Sequence, residues 1–178
     1  MQDHHLESRY YFIMKLVSLI ILALCLAACG KPDPKLLFRQ GEYEQSLPLL
    51  LPLAEQGDQE AQNYLGVQYY VGLGVQRDFK EASNWFRAAA TAGLPDAQKN
   101  YGDLFLHGYG VPQDIYQAFL WYFAASQQGH ATAQLALANI TDQNNLSPNQ
   151  QMYAKLQANR YIPDPDKRFQ SHDTYIEK

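Results

Sequence analysis

The sequence predicts an all-α fold, a short solenoid of paired helices with a period of about 36 residues. First, a set of eleven positions between residues 61 and 93 recurs thirty-six residues later. Second, glycine pairs divide each copy into two segments of helical length with apolar residues at helical spacing. A fixed period of roughly 20–50 residues marks an architecture in which each unit buries its apolar face only against its neighbours. The repeated positions are Ala61, Gly66, Gly72, Gly74, Val75, Asp78, Ala82, Trp85, Ala88, Ala89 and Gly93, matched by Ala97, Gly102, Gly108, Gly110, Val111, Asp114, Ala118, Trp121, Ala124, Ala125 and Gly129.

The N-terminal segment has the pattern of a secretion signal. Met14 and Lys15 form a short basic start, residues 16–24 are apolar apart from one serine, and small residues precede Cys29. This order describes a signal peptide, and its apolar part is too short to span a bilayer as a stable helix. Acidic residues before Met14 fit the pattern poorly, so we expect residues 1–13 to be an over-extended start. The alternative is a buried core helix with two incidental cysteines.

The four residues Leu-Ala-Ala-Cys at 26–29 resemble a bacterial lipobox. The resemblance implies cleavage before Cys29 and acylation of its thiol, which makes the lipid bilayer a partner. Gly30 follows the cysteine where an aspartate could stand, and the resemblance then implies an outer-membrane lipoprotein facing the periplasm rather than an inner-membrane one. We therefore expect a signal peptide at 1–28 and a lipidated tether at 29–34.

Composition narrows the possible functions. The chain has two cysteines, Cys25 and Cys29, and processing would leave neither for a disulfide or a cysteine metal site. A net charge of −4 without a basic cluster argues against nucleic-acid binding. No nucleophile, metal or phosphate-loop motif is present, so we expect no cofactor, no metal and no enzyme activity.

The helical repeat domain should span residues 35–160. Its first unit, around 38–57, is degenerate, and Pro48 and Pro52 predict a helix that kinks or starts late. Two clear repeats follow at 61–96 and 97–132.

Within a repeat, the first helix should run over about 59–71 and the second should begin after Asp78. Gly66 lies in the middle of the first helix, which indicates that a neighbouring helix passes close by. Asp78 followed by Glu81 has the spacing of a capping box, with Asp114 in the same place in the next copy. Glycine pairs such as Gly72 and Gly74 are typical of the turn between the helices.

The last unit loses the glycine turn. Ser147 and Pro148 predict a helix start, and the helix should reach about Arg160. Gln157 replaces the repeated tryptophan, which suits an outer face in contact with water. Residues 161–178 should form a polar, poorly ordered tail.

The repeated residues resemble the SEL-one-like repeat, an αα-hairpin of about 36 residues related to the tetratricopeptide repeat. The resemblance implies a binding scaffold whose concave face is formed by the first helix of each pair. Each groove residue could instead pack between repeats. The groove positions implied by the register are Asn63, Val67, Tyr70, Lys99, Asp103, Leu106, His107, Leu135 and Asn139.

The expected function is a membrane-anchored, non-catalytic scaffold that holds an unidentified protein or peptide in the periplasm. One alternative is a structural envelope protein that associates with itself. Another is a hydrolase, since some related repeat proteins are described as β-lactamase-like, usually with cysteines bridging each repeat. Asp103 and His107, four residues apart on one helix, are the best candidates for such chemistry. We expect His130 to face solvent and the two tryptophans to be core residues.

Overall fold

A computed structural model describes residues 32–143 and 145–163. The predicted signal peptide, Cys29 and most of the predicted tail lie outside these residues. The described helices lie in one compact unit that begins at Pro34.

The described part of the chain contains α-helices joined by short turns, and no strand. None of these helices is long and apolar enough to cross a membrane. In chain order they are α1 (Pro34–Gln40), α2 (Tyr43–Glu55), α3 (Gln59–Val71), α4 (Phe79–Thr91), α5 (Pro95–His107), α6 (Ile115–Gln127), α7 (Ala131–Asp142) and α8 (Pro148–Ala158), followed by a 3-10 turn at Asn159–Tyr161.

The helix starts follow the predicted caps, with one correction. The carboxylate of Asp78 accepts hydrogen bonds from the amides of Lys80 and Glu81, and Asp114 does the same at α6. The glutamate half of the predicted capping box does not form there. Within the described residues the full reciprocal pair occurs at Ser147, at the start of α8.

Helix α2 runs from Tyr43 through Pro48 and Pro52 without interruption, so the predicted late start is wrong. Both prolines are exposed. A proline inside a helix removes one backbone donor. Water can satisfy the carbonyl groups that lose their partner on this face, which is why the helix continues.

Successive helices pack as hairpins, α1 with α2, α3 with α4 and α5 with α6, and each hairpin also packs against the next. Gly66 and Gly102 explain how closely the paired helices approach. A Cβ atom on Gly66 would lie 2.5 Å from the ring of Phe86, and one on Gly102 would lie 2.8 Å from the ring of Tyr122. The close approach that was predicted at these glycines is therefore made by an aromatic ring of the partner helix.

The last unit is not a regular hairpin, because α8 packs against α6 instead of α7. Its outer face is also less polar than predicted. Leu135 on α7 is 67% exposed, and three further apolar side chains on α8 are about half exposed. These α8 residues are Met152, Tyr153 and Leu156.

The chain after α8 folds back instead of leaving the domain. The ring of Tyr161 packs on Trp121 with centroids 4.6 Å apart, and Ile162 contacts the same buried cluster. Tyr161 and Ile162, which were predicted to belong to the tail, therefore pack against the repeat domain.

Candidate functional site

A pocket of about 240 Å³ opens where α3, α4 and α5 meet. Helices α3 and α5 are the first helices of the two clear repeats, as predicted for a binding groove. The lining residues are Val67, Tyr70, Phe86, Lys99, Asn100 and Asp103.

The charged wall of the pocket is neutralised internally. The Nζ of Lys99 lies 2.6 Å from Oδ2 of Asp103, four residues along α5. The other carboxylate oxygen of Asp103 accepts a 2.7 Å hydrogen bond from the Tyr122 hydroxyl on α6. Because both oxygens of Asp103 are bonded, the carboxylate is fixed and carries little unbalanced charge toward a ligand.

An amide pair connects the two repeats beside this wall. Nδ2 of Asn100 donates a 3.1 Å hydrogen bond to Oδ1 of Asn63, which is buried. No described residue donates a hydrogen bond to the side-chain oxygen of Asn100, Oδ1. That oxygen can therefore accept a hydrogen bond from a ligand.

The apolar wall is aromatic. The ring of Tyr70 lies 6.4 Å from Phe86 and 5.4 Å from Phe79, and Phe79 stacks on Tyr109 at 4.8 Å. Burial raises the pKa of Tyr70, and the nearby charge of Asp103 raises it further. The phenol therefore remains a neutral hydrogen-bond donor at physiological pH.

Four predicted groove residues line the pocket: Val67, Tyr70, Lys99 and Asp103. Asn63 is joined to it through Asn100. The other predicted residues lie apart from the pocket lining. Leu106 is partly buried against the core, His107 is exposed beside Tyr109, and Leu135 and Asn139 are exposed on α7.

Two of the lining residues, Phe86 and Asn100, were not predicted from the sequence. Phe86 could have been found from the sequence, because an aromatic residue, Tyr122, occupies the equivalent position thirty-six residues later. Asn100 could not, since the equivalent residue in the previous repeat is Tyr64.

The candidate catalytic pair does not form. Asp103 is bonded to Lys99 and Tyr122, while His107 packs against the ring of Tyr109 with centroids 5.5 Å apart. Residues four apart on a helix are within reach of each other, but Asp103 pairs with Lys99, four residues before it, instead of His107, four residues after it.

The prediction for His130 is also wrong. Its side chain is 17% exposed, its Nε2 lies 3.0 Å from Asp96, and its Nδ1 accepts from the amide of Ala133 to cap α7. His130 therefore links consecutive repeats. Trp121 is buried as predicted, whereas Trp85 is only partly buried. In the described residues, no group of three His, Cys, Asp or Glu side chains could hold a metal ion.

Helical hairpins that stack at a spacing of 36 residues define a helical-repeat protein. The Sel1 repeat family matches residues 59–94 and 95–130, and the chain carries two Sel1 repeats. Sel1 repeats typically serve as scaffolds for protein interactions and are generally non-catalytic.

Two solved structures have the same fold. One is c5321, a protective antigen of uropathogenic Escherichia coli with an SLR fold, at 26% identity and a TM-score of 0.67. The other is a Sel1 repeat protein from Oxalobacter formigenes, at 29% identity and a TM-score of 0.60. They cover 82% and 68% of this chain, which spans 33% and 53% of their own lengths. No curated protein matches the chain.

Proposed function

We propose that this chain is a non-catalytic scaffold that binds an extended peptide segment of a partner protein. The observation that carries the proposal is the pocket lined by Tyr70, Phe86 and Asn100. Its 240 Å³ lie below the roughly 300–1,000 Å³ that small-molecule sites usually have. A pocket of this size accommodates one apolar side chain of a longer ligand.

The chemistry of the walls suits a peptide. The rings of Tyr70 and Phe86 offer an apolar surface for an anchoring side chain. The free carbonyl oxygen of Asn100 can accept a backbone N–H next to that anchor. Because Lys99 and Asp103 neutralise each other, a strongly charged anchor gains little here.

We further propose that the scaffold is held to a membrane of the bacterial envelope through acylated Cys29. The sequence pattern before Cys29 supports this proposal, and two or more acyl chains would give durable attachment. The resemblance to lipoproteins with glycine after the cysteine, here Gly30, supports the outer membrane as the location, with the domain in the periplasm.

The pocket is tested by photocrosslinking in cells, with a photoreactive phenylalanine analogue in place of Tyr70 and, as a control, in place of exposed Gln113. We expect one recurrent partner from the pocket position alone. Asn100→Ala should lower its yield about 5-fold, the effect of one lost hydrogen bond, whereas exposed Asn84→Ala should not. Equal yields from both positions would contradict the pocket assignment.

The anchor has a separate test. Cys29→Ser should move the protein from the membrane fraction to the soluble fraction. Cys25→Ser should leave it in the membrane fraction, because that cysteine lies within the predicted signal peptide. Continued tight membrane association of Cys29→Ser would exclude lipidation at this position.

A second candidate function, self-association, is favoured by the apolar side chains at the C-terminal end. Leu135, Tyr153 and Leu156 are 67%, 58% and 58% exposed. A terminal repeat normally presents a polar outer face. Sedimentation that depends on protein concentration and is abolished by Leu156→Glu would support this function.

A further inference from the structure

Three turns of this fold share one geometry at the repeat spacing. Gly57, Gly93 and Gly129 follow helices α2, α4 and α6, with φ of +92°, +98° and +84°. A glutamine lies five residues after each glycine and donates from Nε2 to a carbonyl eight residues before it. These glutamines are Gln62, Gln98 and Gln134, and their bonds to Ala54, Ala90 and Ser126 measure 2.9, 3.2 and 3.3 Å.

The middle turn, at Gly93, is covered by residues 161–163. Nε2 of Gln98 donates a 2.7 Å hydrogen bond to the backbone carbonyl of Tyr161. The ring of Tyr161 packs on Trp121, and Pro163 lies against Gly93, where an added Cβ would come within 2.6 Å of its Cγ. An aromatic residue and a proline two positions later thus occupy a groove formed by glycine, glutamine and tryptophan.

None of the residues that the structure describes covers the equivalent groove one repeat earlier. Gly57 is exposed, and a Cβ atom there would meet nothing within 4 Å, whereas Gly93 is buried. Trp85, the equivalent of Trp121, is only partly buried. The same three residue types are therefore present, without the segment that covers them in the middle copy.

Gln62 also has an unused hydrogen-bonding atom. Gln62 is only 8% exposed, and its Oε1 is buried without a hydrogen-bond partner among the described residues. In the middle copy the corresponding Oε1 of Gln98 accepts a 2.8 Å hydrogen bond from Gln128. The residue equivalent to Gln128 is Ala92, which has no amide to donate. Gln62 therefore lacks the hydrogen bond that fixes the side chain of Gln98 in the middle copy.

The third copy lacks the aromatic platform, because Gln157 stands where the other copies have tryptophan. Gln134 and Gly129 alone do not make the groove. Of the three copies, the first alone combines all three residue types with a groove that no described residue covers.

We propose that the groove of Gly57, Gln62 and Trp85 binds an extended segment of a partner protein in which an aromatic residue stands two positions before a proline. The aromatic ring packs on Trp85, and the proline lies over Gly57. A backbone carbonyl of the segment accepts a hydrogen bond from Nε2 of Gln62, as the carbonyl of Tyr161 does from Gln98. The site shares no residue with the pocket at Tyr70 and does not depend on it.

The occupant is a partner rather than a second copy of this chain. The only such segment in the described residues is Tyr161–Pro163, and it is already engaged within its own chain at Trp121 and Gln98. To serve a neighbour it would have to uncover Trp121, which is 4% exposed. If the segment moved to a neighbouring copy, it would lose its contacts within its own chain and form equivalent ones there. The exchange would therefore gain little free energy.

Helix α2 supplies a test position and its control. In the middle copy, Arg87 of α4 and Tyr161 of the docked segment both act electrostatically on Tyr101, so both lie in its neighbourhood. The residue thirty-six positions before Arg87 is Leu51, 38% exposed. Leu49 is equally exposed, at 37%, but lies two residues away and so points to the other side of the helix.

The experiment uses the full-length chain in detergent and a labelled peptide with the sequence of residues 159–165, Asn-Arg-Tyr-Ile-Pro-Asp-Pro. Fluorescence anisotropy should show saturable binding, and amide resonances of Gly57 and the Gln62 side chain should shift. Leu51→Glu should weaken binding at least tenfold, and Leu49→Glu should not. A peptide with alanine in place of its tyrosine should bind at least tenfold more weakly.

Three results would overturn the proposal. One is the absence of saturable binding by the wild-type chain. Another is a set of shifts confined to Gly93 and Gln98, which would mean that the peptide only displaces the chain's own segment. The third is a dimer that disappears in Tyr161→Ala, which would assign the groove to a second copy.

Discussion

The hydroxyl of Tyr122 donates a 2.7 Å hydrogen bond to Asp103, so a core residue of α6 holds a wall residue of the pocket. Tyr122 is 1% exposed, and the edge of its ring fills the space next to Gly102. Burial raises the pKa of Tyr122 well above its ordinary value, and the neighbouring charge of Asp103 raises it further. Pocket shape, helix approach and ionisation are therefore coupled at one side chain.

This coupling predicts how stability depends on alkaline pH. Below about pH 10 the phenol is protonated in both states and has no effect on the slope. Above that pH the unfolded chain releases the proton while the folded chain keeps it. The free energy of unfolding should therefore fall as pH rises, by up to about 1.4 kcal/mol per pH unit for this group.

The check is urea unfolding at several pH values between 8 and about 11.5, a range that brackets the ordinary tyrosine pKa. Tyr122→Phe should show a shallower alkaline slope than the wild type. At neutral pH it should be less stable by about 1.5–3 kcal/mol, because Asp103 loses a hydrogen bond to a charged group. Exposed Tyr153→Phe is the control, and an equal change of slope there would contradict the assignment.

Gly66→Ala should destabilise the fold, against the usual trend. In an ordinary helix interior, alanine is more favourable than glycine by about 1 kcal/mol. Here the new Cβ would lie 2.5 Å from the ring of Phe86, and overpacking costs about 1–3 kcal/mol. Denaturant midpoints should show a net loss of stability in the wild-type background.

The matched experiment repeats Gly66→Ala in the Phe86→Leu background. With the ring removed, the alanine should become neutral or stabilising, which gives a clear coupling energy between the two positions. Destabilisation of the same size in both backgrounds would show that the cost does not come from the ring.

The sequence revealed the parts of this fold that depend on local rules or on repetition. The caps at Asp78 and Asp114 were predictable because each contacts amides only two or three residues away. Pocket residues Tyr70 and Lys99 were predictable because the repeat register transfers a known geometry.

The remainder depends on contacts between distant residues. Gln98 bonds Tyr161, 63 positions later, and His130 bonds Asp96, 34 positions earlier. No periodic pattern marks either pair. The glutamines at 62, 98 and 134 did recur, but a repeated polar residue is usually taken for a surface position. The burial of Gln62 and Gln98 therefore required the packed structure.

Asp78→Ala should cost about 1 kcal/mol of stability, because two amides at the start of α4 lose their acceptor. Asp78→Asn should retain most of that stability, since a carboxamide oxygen also caps. Glu81→Ala should have little effect, because its side chain does not complete the capping box. Chemical unfolding of the three variants checks this prediction. If Glu81→Ala loses as much stability as Asp78→Ala, the reciprocal capping box does form.

Tyr161→Ala should show that the chain after α8 is part of the fold. Its ring covers Trp121 and its carbonyl lies on Gln98, so truncation removes a half-buried aromatic contact worth about 1–3 kcal/mol. Trp121 should also become more accessible to a soluble fluorescence quencher, measured with Trp85→Phe in the background to isolate its signal. Tyr153→Ala removes an aromatic side chain that is 58% exposed and should change neither stability nor quenching. If the two variants behave alike, Tyr161 does not dock on Trp121. The docking proposed at Gly57 and Trp85 would then lose its support, because it is inferred from that contact.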